Sequence, residues 1–288
     1  QEQRVEFSIK SGSPEKQRGA CVVVGIFDTR KPTLPAELLD KASGGFISDI
    51  LRRGDMEGKA GSTLMLHSVP GTLCDRILLV GLGKENEFRE KEFLAAVRAA
   101  MKALADTGAQ DVSLFLAELP VRKKDLAWKS RQAAMIALDT AYRFEHFKST
   151  KVLAKRNLKK VTFGVERRNE LALAEEALGQ GLAIAEGMAL ARTLGNMPPN
   201  ICHPAYLAEQ AQKMAEEFKL DCEILERSDM EALDMHSLLA VAQGATQAPK
   251  LIVLHYRGTT ASSKPVVLVG KGVTFDTGGI SLKPAAEM

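Results

Sequence analysis

The sequence predicts an α/β protein: two α/β segments joined by one long helix. Three observations predict it. Short apolar runs that read as strands alternate with helical spacing as far as residue 165, the order expected of a sheet covered by helices. Residues 168–195, RRNELALAEEALGQGLAIAEGMALARTL, make the longest helical pattern, rich in Ala, Leu and Glu and without proline. Strand and helix signals then resume.

Taken in order, VEFSI (5–9), CVVVGIF (21–27), TLMLHSV (63–69), RILLVGL (76–82), VSLFLA (112–117) and KVTFGV (160–165) read as strands. Several are continuous enough in Val, Ile and Leu to be buried on both faces. Between them, residues 36–53, 89–107 and 124–141 repeat apolar residues at helical spacing. GNMPPN (195–200) stops the long helix, because proline has no N–H to continue the ladder. Beyond it the pattern predicts a helix over 204–219 opened by Pro204, a strand over 221–225, a helix near 228–235, and strands over 250–256 and 265–270. The second segment is thus expected to hold a largely parallel sheet. The expected domains are 1–165, a linker helix over 166–196, and 197–288. The last is shorter than the roughly 100 to 150 residues usual for a domain, so that fold is expected to lack its C-terminal half. The chain opens on Gln1 instead of methionine, and a trimmed start is expected.

Composition is that of an ordinary globular chain, 45% hydrophobic and 26% charged. No apolar run approaches the roughly 18 to 20 residues that span a bilayer, and QEQRVEFSIK has no apolar stretch of the signal-peptide kind, so a cytoplasmic location is expected. Cys21, Cys74, Cys202 and Cys222 show no CxxC pair, which suits a reducing compartment and small buried thiols. Charge is uneven. Residues 1–165 carry 28 Lys and Arg against 20 Asp and Glu, a net +8, whereas the remainder carries 11 against 16, a net −5. The basic half, with six cations in KSTKVLAKRNLKK (148–160), admits a second reading as a DNA-binding or regulatory module; a solvated loop accounts for the run equally well.

Most motifs are weak. Gly81 and Gly83 follow a strand, but Asn86 stands where a dinucleotide fingerprint needs its third glycine. In VGKGVT (269–274), Gly272 follows Lys271 where a P-loop needs Ser or Thr, and Pro265 replaces the upstream glycine, which excludes that route to nucleotide hydrolysis. His67, His146, His203, His236 and His255 are too dispersed for a helical zinc pair. The informative stretch is VLVGKGVTFDTGGISLKPAAEM (267–288), a strand running into a glycine-rich loop, where open α/β sheets place their ligands. Asp276 offers a hard carboxylate able to bridge two cations. Lys271 ligates a metal only as the neutral amine, which a divalent ion can enforce against an ordinary lysine pKa of about 10.4. Lys283 could instead keep its charge and stabilise an oxyanion. A solvated loop with ion pairs fits the same residues.

The run from Val269 to Pro284, VGKGVTFDTGGISLKP, closely resembles the signature segment of the leucyl aminopeptidase family, the two-metal cytosolic aminopeptidases. The stretch from Arg192 to Asn200, RTLGNMPPN, resembles that family's junction between helix and catalytic domain. The resemblance covers essentially the whole chain. It implies a macro-domain-like N-terminal α/β domain, a linker helix, and the first part of a mixed-sheet zinc-exopeptidase-like α/β domain. It implies further that Lys271 coordinates the tighter of two zinc or manganese ions, that Asp276 bridges both, and that Lys283 is the catalytic lysine. Removal of N-terminal residues from peptides, with a leucine-type preference, is the activity implied. A homo-hexamer and a bicarbonate base are implied for the full-length protein. The family's remaining ligands would lie beyond Met288, so this polypeptide alone is expected to be inactive. A third reading is a non-catalytic binder of nucleotide derivatives.

Overall fold

The computed structural model describes residues 5–149, 158–259 and 263–275. It falls into two units, Gln1–Ala191 and Arg192–Met288.

In the first unit the six expected strands all form, together with a short β3 that was not expected: β1 (Glu6–Ser11), β2 (Cys21–Phe27), β3 (Lys31–Pro32), β4 (Thr63–His67), β5 (Arg76–Gly81), β6 (Asp111–Leu114) and β7 (Lys160–Val165). The sheet runs β1-β7-β6-β2-β5-β4, with β3 paired to β2 off the main path. Neighbours from β1 to β5 are parallel, and β4 closes one edge antiparallel to β5. Helices cover both faces. α1 (Leu34–Ala42) and α2 (Phe46–Arg53) bury Ala36, Leu39, Ile47 and Leu51 against Val22, Val24, Ile26, Ile77 and Leu79. α3 (Glu90–Ala105), α4 (Leu126–Ala141) and the first part of α5 (Leu171–Asn196) pack on Val23, Leu78, Val80, Val112 and Phe163. The continuous apolar runs of β2 and β5 therefore have a cause: successive side chains enter opposite, equally dry layers. Each fully buried Val, Leu or Ile contributes about 1.5–3 kcal/mol.

Local chemistry sets the helix starts. Asp125 Oδ1 accepts the Trp128 N–H at 2.8 Å at the head of α4, and Glu92 Oε2 accepts the Arg89 N–H at 3.0 Å at the head of α3. The single helix expected over 36–53 is two, because Gly44 and Gly45 take left-handed φ values of 67° and 90° and turn the chain between α1 and α2. On the other face Gly181 of α5 lies so near α4 that a Cβ would stand 2.4 Å from the Arg131 carbonyl oxygen.

The second unit is built from α6 (Pro204–Phe218), β8 (Asp221–Leu225), α7 (Arg227–Ala232), α8 (His236–Ala242) and β9 (Leu251–His255). Three of its features depart from expectation. The helix near 228–235 is two short helices, parted where Asp234 turns left-handed at φ 55°. The sheet is an antiparallel pair, Asp221 opposite His255 and Leu225 opposite Leu251, instead of a parallel one. Residues 265–270 form no strand among the described residues: Val266, Val267, Leu268 and Val269 are 89%, 74%, 93% and 93% exposed. A strand is a property of a ladder, and neither β8 nor β9 extends one to this run.

Candidate metal centre

The approach to the candidate site begins where α5 stops. Pro198 and Pro199 cannot extend the helix, and the Pro198 carbonyl instead accepts the N–H groups of Ile201 and Cys202 at 3.0 and 2.9 Å. His203 then caps α6, its Nδ1 accepting the Tyr206 N–H at 3.4 Å, with Pro204 in the first turn. His203 thus serves as the cap of α6.

Lys271 lies in the run 264–275, which is neither helix nor strand, with an exposed side chain. Next to it, Gly272 faces α6: a Cβ there would stand 3.9 Å from Leu207 Cδ1, ordinary contact distance. Asp276 and Lys283 lie outside the described residues, so of the three expected site residues the structure places Lys271 alone. Among the described residues no three His, Cys, Asp or Glu side chains gather to hold a metal. The donor chemistry of the run still fits a divalent ion, since a neutral amine and a carboxylate can both ligate one.

The other histidines have local roles. His67 ends β4, His255 ends β9, and His236 pairs with Asp234 at 3.3 Å on the exposed side of α8. His146 packs at a tilt against Phe144 and Phe147, centroids 5.2 and 6.3 Å apart. All four cysteines are free thiols, and Cys21, Cys74 and Cys202 are buried. Burial pushes the Cys21 thiol up to about 12, so it carries no thiolate for nucleophilic work near neutral pH.

The glycines of RILLVGLGK are also accounted for without a ligand. The loop 57–62 folds over the ends of β2 and β5: the Gly81 N–H donates to the Ser62 carbonyl at 2.8 Å, the Gly61 N–H to Gly81 at 2.9 Å, and the Gly83 N–H to Gly58 at 2.8 Å. A Cβ on Gly81 would lie 2.0 Å from the Lys59 carbonyl oxygen. The protein's own backbone thus occupies the place where a dinucleotide phosphate would sit.

The reading of the basic half as a DNA-binding module finds no support. Arg30, Lys31, Lys59, Lys84, Lys124 and Lys160 each hold a carboxylate, which is the pattern of a mixed-charge surface. Residues 150–157 of the cationic run lie outside the described residues.

Comparison with known proteins agrees with the signature run. Residues 189–288 match the catalytic domain of the cytosol aminopeptidase family, and residues 23–151 match the N-terminal domain of the same family. A probable cytosol aminopeptidase of Dechloromonas aromatica (strain RCB) is 75% identical over 284 residues, covering 99% of this chain and 57% of that protein. One from Nitrosospira multiformis is 58% identical over 287 residues, covering 99% and 55%. The chain therefore spans little more than half the length of these relatives. Among solved structures, a mutant of tomato leucine aminopeptidase superposes with a TM-score of 0.80 at 24% identity, covering 96% of this chain and 55% of the other, a likeness of fold. The bottromycin maturation enzyme BotP in complex with Mn gives 0.70 at 28% identity, covering 94% and 51%.

Proposed function

The chain belongs to the cytosol aminopeptidase family, and we propose from that membership that it is the N-terminal and first catalytic portion of a metal-dependent aminopeptidase. The observation that carries the reading is the run from Val269 to Pro284 within the matched catalytic domain. We assign residues 1–165 to the N-terminal domain, 166–196 to the linker helix and 197–288 to the catalytic domain. The substrates are peptides with a free N-terminus, with a leucine-type preference, and the protein works in the cytoplasm as a homo-hexamer when full-length. No helix among the described residues is long and apolar enough to cross a membrane.

Lys271 and Asp276 are the proposed ligands of two divalent ions, zinc or manganese. When bound, such a pair supplies an acidified water and holds the substrate amine. Lys271 serves there as the neutral amine, so its proton must leave as the site fills. Its exposed position gives that proton a direct path to water. Lys283 keeps its proton, polarises the scissile carbonyl and compensates the charge that develops on its oxygen. Bicarbonate as a base belongs to the full-length protein.

Two measurements test this. Competition of the 288-residue polypeptide with a chromophoric chelator for Zn²⁺ should show binding that Lys271→Ala weakens about tenfold or more, the loss of one of few ligands. The same polypeptide should hydrolyse leucine p-nitroanilide no faster than buffer, because Lys271 and Asp276 are too few ligands to hold a catalytic pair. Unchanged zinc affinity in Lys271→Ala would remove Lys271 from the site. Turnover by this polypeptide, with no longer chain present, would show that its residues suffice.

A further inference from the structure

The connection between β4 and β5, residues 68–75, leaves a recess of about 500 Å³ whose lining includes His67, Ser68, Thr72 and Arg76, with Val69 and Cys74 as buried neighbours. Its shape comes from the backbone. Ser68 and Gly71 take left-handed φ values of 52° and 71°, and Gly71 packs directly on the end of α1, where a Cβ would stand 2.2 Å from the Ala42 carbonyl oxygen. The Ser68 N–H donates to the Asp75 carbonyl at 3.0 Å and the Asp75 N–H to the Gly19 carbonyl at 3.1 Å, so both ends of the connection are tied to the sheet.

Across this recess His67 and Arg76 are opposed in the β4–β5 ladder, which sets their Cβ atoms about 4.5–5.5 Å apart on one face. Arg76 is half-buried, and its Nη1 donates to the Ala20 carbonyl at 3.3 Å. It makes no ion pair among the described residues, unlike Arg30, Lys31, Lys124 and Lys160, which all hold carboxylates. A guanidinium has five N–H donors in a planar fork, so most of that fork remains open to a ligand. The imidazole of His67 offers a ring N–H in either protonation state, and the Ser68 hydroxyl can donate as well.

We propose that this recess binds a small oxyanion, a carboxylate or a phosphate group, gripped by Arg76 and His67. The Asp75 carboxylate also borders the recess and opposes the ligand, setting a modest affinity. The site belongs to the N-terminal unit, uses none of the proposed metal ligands, and stands or falls independently of the aminopeptidase reading.

The test is a titration of the ¹⁵N-labelled 288-residue protein with sodium phosphate and, separately, sodium acetate, with sodium chloride at matched ionic strength as the reference. Phosphate or acetate, and not chloride, should shift the amide resonances of Ser68, Thr72, Leu73 and Arg76. Arg76→Gln should weaken the apparent affinity about tenfold, the loss of a charge-assisted contact. Asp75→Asn should tighten it about twofold by removing a repelling charge. Should Arg76→Gln fail to fold, Arg76→Lys and His67→Gln carry the test, each weakening binding about threefold because neither keeps the full donor pair. A response to acetate alone identifies a carboxylate ligand, and a response to phosphate alone identifies a phosphate ester; both support the site. Shifts that these variants leave unaltered would mean an adventitious ion only, and no shift up to about 10 mM would equally overturn the proposal.

Discussion

Lys129 is 8% exposed in α4, its Nζ donating to the Leu119 carbonyl at 3.0 Å. Burial lowers its pKa below the ordinary lysine value of 10.5, and the charges of Glu118, Glu170 and Asp125 only partly offset that. Because the folded value is the lower one, the ammonium costs stability in full below it, and the cost fades as pH rises towards 10.5. Lys129→Met keeps the stem and removes the charge, at the expense of leaving the Leu119 carbonyl without this donor. The variant should be more stable than wild type by about 1 kcal/mol at pH 7, since an apolar side chain commonly replaces a buried charge at no loss. Urea midpoints should show the gap narrowing between pH 7 and pH 10; a gap that widens would mean the ammonium is favoured by its surroundings. Nothing in the sequence marks this residue, because a lysine in an amphipathic helix reads as solvated, whereas here the ammonium is drawn in to the Leu119 carbonyl ahead of α4. The role proposed for Lys271 has a different basis: its glycine-rich neighbours carry a local pattern that needs no tertiary information. Asp276 and Lys283 belong to the same run, and their proposed roles rest on that pattern alone.

Helix α6 shows how far element ends follow from sequence. Its start is written in His203-Pro204, and both residues act at the cap. Its end, expected at 219, falls at Phe218 with Lys219 turning left-handed at φ 55°, although no glycine marks the stop. Lys219→Gly should therefore relieve strain and raise stability by about 1 kcal/mol, read as a higher urea midpoint with unchanged slope. A drop would show that the lysine side chain contributes more at this position than its backbone costs. The same contrast separates the elements that sequence placed from those it did not. β2 and β7 match their expected runs residue for residue, since burial on both faces selects a largely apolar string. The break between α1 and α2 rests on two glycines inside an otherwise regular helical pattern. The direction of β9 relative to β8 was invisible, because pairing sense depends on how α7 and α8 return the chain and leaves no mark on strand composition. Residues 265–270 have a strand's composition without a strand's partner.

At the scale of the molecule, apolar burial is unevenly distributed between the two units. The first holds two packed layers around β2 and β5, in which Val22, Val23, Val24, Ile77, Leu78 and Leu79 are at most 1% exposed. In the second, the buried apolar side chains among the described residues are few: Ala208, Ala211 and Ala215 on α6, Cys202 before it, Met230 on α7, and Pro249. Neither β8 nor β9 has a fully buried residue, and β9 pairs with β8 alone. A two-stranded sheet with little apolar cover is marginal in water, and local opening costs less where fewer apolar contacts must be broken. Amide exchange should therefore divide along the chain. In native-state hydrogen exchange of the 288-residue polypeptide, amides of β2 and β5 should exchange at least about a hundredfold more slowly than those of β8 and β9, a difference of about 3 kcal/mol in opening free energy. Saturating Zn²⁺ should slow exchange around α6 and residues 264–275 if Lys271 ligates it, since a ligand that binds only the folded form stabilises the elements carrying the site. It should leave β2 and β5 unchanged, because their core lies in the other unit. Equal protection in both sheets before metal is added would show that the second unit draws stability from contacts other than its own apolar core. Protection that rises in β2 and β5 alone would place the zinc ligands outside the run that holds Lys271.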